Sequence, residues 1–398
     1  MVLKKALLIV LPVLLLFLSA CSDYPTSIGA DLLKDDYIGI SELNSASDSL
    51  LQSTSYFKLA QPLGAADRLL IGKVGDIEAG TLIKFNIAFV DSIDEAIKAG
   101  NIVIKSANML FYKTYAFGDT NATTLDFHAY EATSSWSPLT FTADSLSSLG
   151  HKSQNLISSF SLDSTFASCT LDNSVVLSWF KYAADTNNTM NNGLYLKPSG
   201  NRAIMGFQSL SSYVDTAEVP RLWIVFEKPG AYTDTVTIYP EGDLSFVTRN
   251  ATVPGLPSED IVVQSGVTIN SLLKFDLSDI PAHSIVNSAE LVLTVDSLHT
   301  ITGTSYTNKL YATRLLDQAN PDSVTNYCTL EKSDNKFTGN VTSIIQNIYT
   351  SMQSGGSNNG IVLRTYDQID GVEQFALKGF GASEAERPYL RITYTIKK

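Results

Sequence analysis

Apolar and polar residues alternate along this chain in many short runs. In Leu272-Leu273-Lys274-Phe275-Asp276-Leu277 the period of two predicts a strand with Lys274 and Asp276 facing outward. Ser278-Asp279-Ile280-Pro281 interrupts it, and Ala289-Glu290-Leu291-Val292-Leu293-Thr294-Val295 predicts a second strand. The same pair of runs occurs earlier, as Thr81-Leu82-Ile83-Lys84-Phe85-Asn86-Ile87 and Ser106-Ala107-Asn108-Met109-Leu110-Phe111. Further on, Asn173-Ser174-Val175-Val176-Leu177-Ser178-Trp179 matches Asn340-Val341-Thr342-Ser343-Ile344-Ile345-Gln346. Asn191-Asn192-Gly193-Leu194-Tyr195-Leu196-Lys197 matches Asn358-Asn359-Gly360-Ile361-Val362-Leu363-Arg364, and both matches have an offset of 167 residues. The closing runs, Pro220 to Phe226 and Pro388 to Tyr394, are offset by 168. Three ordered matches at nearly constant spacing mark a module that occurs twice.

Within each copy, Asn173 or Asn340 is placed to cap a short helix. Val341, Ile344, Ile345 and Ile348 supply one apolar helical face. The Asn-Asn-Gly triplets suit a turn that needs positive φ. In the first copy, Ile93, Ala96 and Ile97 predict a short helix over 92–99, 125–130 reads as a strand, and the Ser-rich stretch 133–165 reads as loop. Lys228-Pro229-Gly230-Ala231-Tyr232 reads as a turn between domains. The expected fold class is all-β: two tandem β-sandwich domains, 51–228 and 229–398. A tether, 21–50, precedes them and enters the first domain near Tyr37-Ile38-Gly39-Ile40, with a Ser-rich flexible piece at 44–49.

Residues 1–20 read as a secretory signal, with Lys4 and Lys5 followed by an apolar run from Ala6 to Phe17. Leu18-Ser19-Ala20-Cys21 resembles the bacterial lipobox. The resemblance implies cleavage before Cys21, with Leu18, Ser19 and Ala20 as recognition residues, and acylation of the Cys21 thiol and amino group. Several acyl chains exceed what stable membrane anchoring requires. Ser22 stands where an Asp resembles an inner-membrane retention signal, so the expected location is the outer membrane, on its periplasmic or surface face.

Composition narrows the function classes. Loss of Lys4 and Lys5 leaves 26 basic against 40 acidic residues, a net charge of −14. With no basic block, nucleic acid is excluded as a partner. Cys169 and Cys328 sit at unrelated repeat positions and read as inert thiols, with a disulfide as the alternative. The histidines, His128, His151, His283 and His299, show no metal-ligand spacing, and no nucleophile elbow or phosphate loop occurs. No cofactor is expected. A structural Ca²⁺ would need oxygens converging from several loops, which the sequence does not place. Flat rings that stack on sugars are the better lead. Trp136, in the Ser-rich loop, and nearby Tyr130 are the candidate ligand-binding residues, against core or edge packing for Trp136; Trp179 and Trp223 read as core.

The LLKFDLSDIP and SAELVL runs, the helix at Asn340, the Asn-Gly turn, and Ser383-Glu384 with Arg387-Pro388-Tyr389-Leu390 together resemble the DNRLRE domain family of extracellular β-sandwich modules. The signature that gives the family its name is absent from both copies, and the second copy matches better. The resemblance implies a jelly-roll-like sandwich, and some relatives resemble carbohydrate-binding modules. The expected function is therefore a non-enzymatic envelope lipoprotein that binds polysaccharide or presents an adhesive surface. The alternatives are a structural lipoprotein that binds another envelope protein and, remotely, a polysaccharide hydrolase.

Overall fold

The computed structural model describes residues 39–45, 52–212, 217–249 and 260–396. The signal sequence, Cys21 and most of the tether lie outside them. In chain order the strands begin with β1 (Gly39–Asn44) and β2 (Gln52–Lys58). The first copy of the module comprises β3 (Arg68–Val74), β4 (Ile77–Phe85), β5 (Val103–Gly118), β6 (Phe127–Glu131), β7 (Ile157–Leu162), β8 (Phe166–Leu171), β9 (Leu194–Pro198), β10 (Ala203–Gln208) and β11 (Arg221–Lys228). Two more strands follow, β12 (Tyr232–Ile238) and β13 (Pro240–Arg249). The second copy comprises β14 (Ile261–Gln264), β15 (Ile269–Phe275), β16 (Ile285–Thr294), β17 (Lys309–Asp317), β18 (Asn320–Ser333), β19 (Lys336–Asn340), β20 (Ile361–Thr365), β21 (Gln374–Leu377) and β22 (Tyr389–Ile396). The helices are α1 (Asp91–Lys98), α2 (Asn173–Ala184) and α3 (Thr342–Gln353). The protein is thus nearly all β, in two curled antiparallel sheets of 11 strands, each forming a sandwich-like unit.

Strand pairing repeats between the units as the sequence matches require. β4 pairs with β9 through Leu82 and Tyr195, and β15 pairs with β20 through Leu272 and Val362. β5 pairs with β11, and β16 with β22. Each unit has its own core. Alternate residues of β5, β8 and β11 meet Trp179 and Phe180 of α2 in one, and Ile344, Ile345 and Ile348 of α3 fill the other. In both, the first Asn of the Asn-Asn-Gly triplet acts as a latch. Asn191 Nδ2 donates to Phe85 O at 2.8 Å, and Asn358 Nδ2 donates to Phe275 O at 2.8 Å. The positive φ falls on the glycines, 80° at Gly193 and 96° at Gly360. A Cβ at Gly193 would lie 2.3 Å from Ile83 O, so the turn needs glycine for space as well as for φ.

The four strands outside the copies are exchanged. β1 and β2 precede the first copy in sequence but pair with β22 and β15 of the second. β12 and β13 precede the second copy but pair with β11 and β4 of the first. Both expected entry points are corrected by this. The tether enters the C-terminal sheet, and the turn at 228–232 closes the β11–β12 hairpin instead of separating domains. Each chain crossing adds to a third apolar cluster between the units. It joins Leu70, Tyr115, Phe117 and Val247 of the first with Val262, Val267, Ile269 and Val372 of the second. Arg249 rivets the same junction. Its Nε contacts Asp76 at 2.7 Å, and its Nη1 donates to Gln264 and Gln374 at 2.7 and 2.6 Å.

Three local expectations are also revised. Trp223 is half exposed, because Leu222, Ile224 and Phe226 are the residues of β11 that alternate into the core. The stretch 133–165 contains a 3-10 helix at Ala143–Ser148 and β7. Asp172, not Asn173, caps α2 by accepting from Ser174 N at 2.8 Å, and Asn340 lies one residue before Val341, the N-cap of α3, accepting from Thr342 N at 3.0 Å.

Candidate functional site

The outer face of β13-β4-β9-β6 is apolar, with Leu82, Tyr195, Leu244 and Phe246 side by side. The excursion between β6 and β7 folds back over it and contributes Phe141, Leu146, Leu149 and Trp136. Trp136 is half-buried in this roof, and its indole N–H donates to Asn192 O at 2.8 Å. Tyr130 packs in the same cluster and stacks on His151, with ring centres 5.1 Å apart, while its hydroxyl meets His128 Nδ1 at 3.0 Å. The structure therefore brings the two expected residues into one cluster and gives both a packing role. A half-buried tryptophan whose N–H is bonded within the protein has less of its ring left for a sugar.

On the face of β13 opposite Leu244 and Phe246, burial pushes the Asp243 carboxyl up to about 6, against the opposing hydrogen bond from Leu210 N at 2.9 Å. A carboxyl whose folded value is raised stabilises the fold fully below its unfolded value and loses that contribution as pH rises through its folded value. Asp243→Asn keeps an acceptor for Leu210 and removes the charge. The variant is expected to unfold at a higher temperature than the parent at pH 7.5, by up to about 3 kcal/mol of stability, with the difference gone near pH 4. Thermal melts across that range check it.

The second unit has no such excursion at this place, because only residues 318 and 319 connect β17 to β18. Tyrosines stand on the corresponding face instead. Tyr311 stacks on Tyr366, with centroids 4.8 Å apart and planes 26° apart, and Tyr327 meets Tyr311 edge-on at 5.9 Å. Tyr327 and Tyr366 are 59% and 39% exposed, so both rings reach solvent. The three come from β18, β17 and the residue after β20, brought together by register. Tyr311 is paired with Thr329 on one side and Arg364 on the other. Ser271 pairs with Leu363, which sets Asn270 opposite Arg364, and Asn270 pairs with Phe57 of the exchanged strand β2. One row of side chains thus crosses five strands: Thr329, Tyr311, Arg364, Asn270 and Phe57. The sequence carried a faint signal of it in Arg364, which occupies the repeat position of Lys197.

No family model matches the chain, and no curated protein matches it. The reading of the site therefore rests on its own geometry.

The other groups considered from sequence occupy separate places. Cys169 is buried and Cys328 partly buried, and both are free thiols; burial pushes Cys169 up to about 12, so it stays protonated and inert. His283 is exposed in its turn, with φ of 64°. A group the sequence did not indicate joins Asp260, Asp296 and His299, whose ligand atoms lie within 4.8 Å of one another. Burial would raise the Asp296 carboxyl, but hydrogen bonds from His299 and Lys378 outweigh it and hold it low. His299 Nδ1 and Lys378 Nζ lie 2.7 and 3.1 Å from Asp296 Oδ2. The Lys378 ammonium thus supplies the positive charge that a metal ion would bring.

Proposed function

We propose that the protein is a non-enzymatic module of the bacterial cell envelope that binds polysaccharide through the tyrosine face of its C-terminal unit. The observation that carries this reading is the cluster of Tyr311, Tyr327 and Tyr366. Exposed rings on a rigid sheet offer flat apolar surfaces to the C–H faces of sugars, while hydroxyls at their edges take the sugar hydroxyls. Side chains held on strands also lose little freedom on binding, which favours even weak contacts repeated along a polymer. In this reading Cys21 carries the lipid anchor, and the acidic body stands off the outer membrane on its tether. The module is of the kind the DNRLRE resemblance implies, and the tyrosine face is where its binding would reside.

Affinity electrophoresis through gels containing soluble polysaccharides tests the reading. The parent is expected to be retarded by at least one polymer, and Tyr311→Ala combined with Tyr366→Ala is expected to lose that retardation by tenfold or more while melting normally. If retardation is equal in parent and variant, the tyrosine face is not the binding surface. If no polymer retards the parent and it co-purifies with an envelope protein, the alternative of a structural lipoprotein takes its place.

A further inference from the structure

Arg364 is the anomaly of this face. It is only 6% exposed, and its Nε and Nη2 are buried without a hydrogen-bond partner. A guanidinium stays charged at all ordinary pH, so burial leaves an uncompensated cation. Its cross-strand neighbour Asn270 is 1% exposed, and that side chain's Nδ2 is also without a partner. The unmet groups are all donors. They lie side by side in the row that contains Tyr311, with Tyr366 two residues along the strand from Arg364. Scaffolding does not require this arrangement. At the same register of the first unit, Lys197 pairs with His128 and is exposed to solvent, and the position of Asn270 is held by Gly80.

We propose that Arg364 and Asn270 form an oxyanion site beside the tyrosines, which takes a carboxylate or sulfate borne on a sugar ring. The proposal rests on the polysaccharide reading of the same face and gives it a charge preference. The planar fork of arginine matches two oxygens of such a group, and an amide N–H from the facing strand can take a third contact. The anion would neutralise the buried cation and satisfy donors that have no partner among the described residues. With a net charge of −12 the chain repels polyanions at long range, so recognition of a negative polymer has to come from a local cation of this sort. Modest salt should then strengthen binding before high salt weakens it.

Two measurements on the full chain test this. In the first, the melting temperature is followed as sodium sulfate, sodium acetate and galacturonate are titrated at constant ionic strength against chloride. A saturable rise in the parent, absent in Arg364→Met and reduced in Arg364→Lys, is expected. A rise of equal size in parent and Arg364→Met would overturn the site, because it reports general ion exclusion. The parent titration is informative even where a variant fails to fold: a flat curve overturns the proposal. In the second, retardation of the parent in gels of a carboxylated, a sulfated and a neutral polysaccharide is compared. At least tenfold stronger retardation by a charged polymer is expected, and the stronger of the two identifies the group. Retardation by the neutral polymer alone overturns the oxyanion site and leaves the polysaccharide reading standing. Saturable stabilisation by small anions without retardation by any polymer does the reverse.

Discussion

Deleting residues 39–58 is expected to unfold the far end of the chain and to spare the near end. β2 covers β15 through seven paired positions, Gln52–Lys58 against Ile269–Phe275, and β1 covers β22 through six. Leu43 enters the C-terminal core, and Ser45 Oγ accepts from Leu390 N at 2.8 Å. Backbone hydrogen bonds are worth about 0.5–1.5 kcal/mol each in net terms, and a buried leucine about 1.5–3 kcal/mol. Ordering the two strands offsets much of this. The remainder is still several kcal/mol, a large part of the 5–15 kcal/mol that ordinarily holds a domain together. Hydrogen exchange read by mass spectrometry should show amides of β15 and β22 losing protection by two orders of magnitude or more. Amides of β4, covered by β13, should keep theirs. Loss of protection in β3 and β4 first would mean that residues 39–58 serve the unit next to them in sequence, contrary to the pairing described above.

Tyr115→Ala should be the most damaging single substitution at the junction. Tyr115 is 1% exposed, and its ring is covered by the Arg68 guanidinium, 5.1 Å from its centre. Its hydroxyl accepts from Val372 N at 3.3 Å and lies near the Glu373 carboxyl. Burial is the main cause that raises the Glu373 carboxyl, and the nearby Tyr115 hydroxyl works against it. Truncation would leave a cavity between the units and a buried backbone N–H, that of Val372, without its acceptor. Losses of this kind cost about 3–5 kcal/mol. Because the cavity lies between two cores and not within either, calorimetry should show a single transition in the parent resolving into two. Tyr115→Phe keeps the ring and removes only the hydroxyl, so it should cost about 1–3 kcal/mol and keep one transition. A single transition at unchanged temperature in the alanine variant would show that the junction contributes little.

Much of the fold was legible because alternation and helical spacing are local properties. Lys274 and Asp276, the face of Val341, Ile344, Ile345 and Ile348, and the 167-residue offset all follow from neighbours a few residues apart or from self-comparison. The exchange of strands was not legible. β1 and β2 have no feature that prefers the second sheet to the first, since both sheets present an equivalent edge by duplication. The candidate site was hidden for a related reason. Tyr311, Tyr327 and Tyr366 lie on different segments, and only the pairing of β17 with its neighbours places them together. Trp136 drew attention because its Ser-rich surroundings imply an exposed loop, and the sequence could not show that the loop folds down onto Leu82 and Phe246.

The pairing of Gly39 with Ile396 sets an order of events when the chain is made. Residues 39–58 emerge first and find their partners last, once β22 has followed them out. The first unit can close as soon as residue 249 is available, whereas the early strands must wait with open edges while more than half of the protein is still to come. Contacts between distant parts of a chain form slowly, and unpaired strands invite other chains. Closure of the β1–β22 pair at residue 396 is therefore the last pairing the C-terminal unit can make, and the step at which its folding should stall.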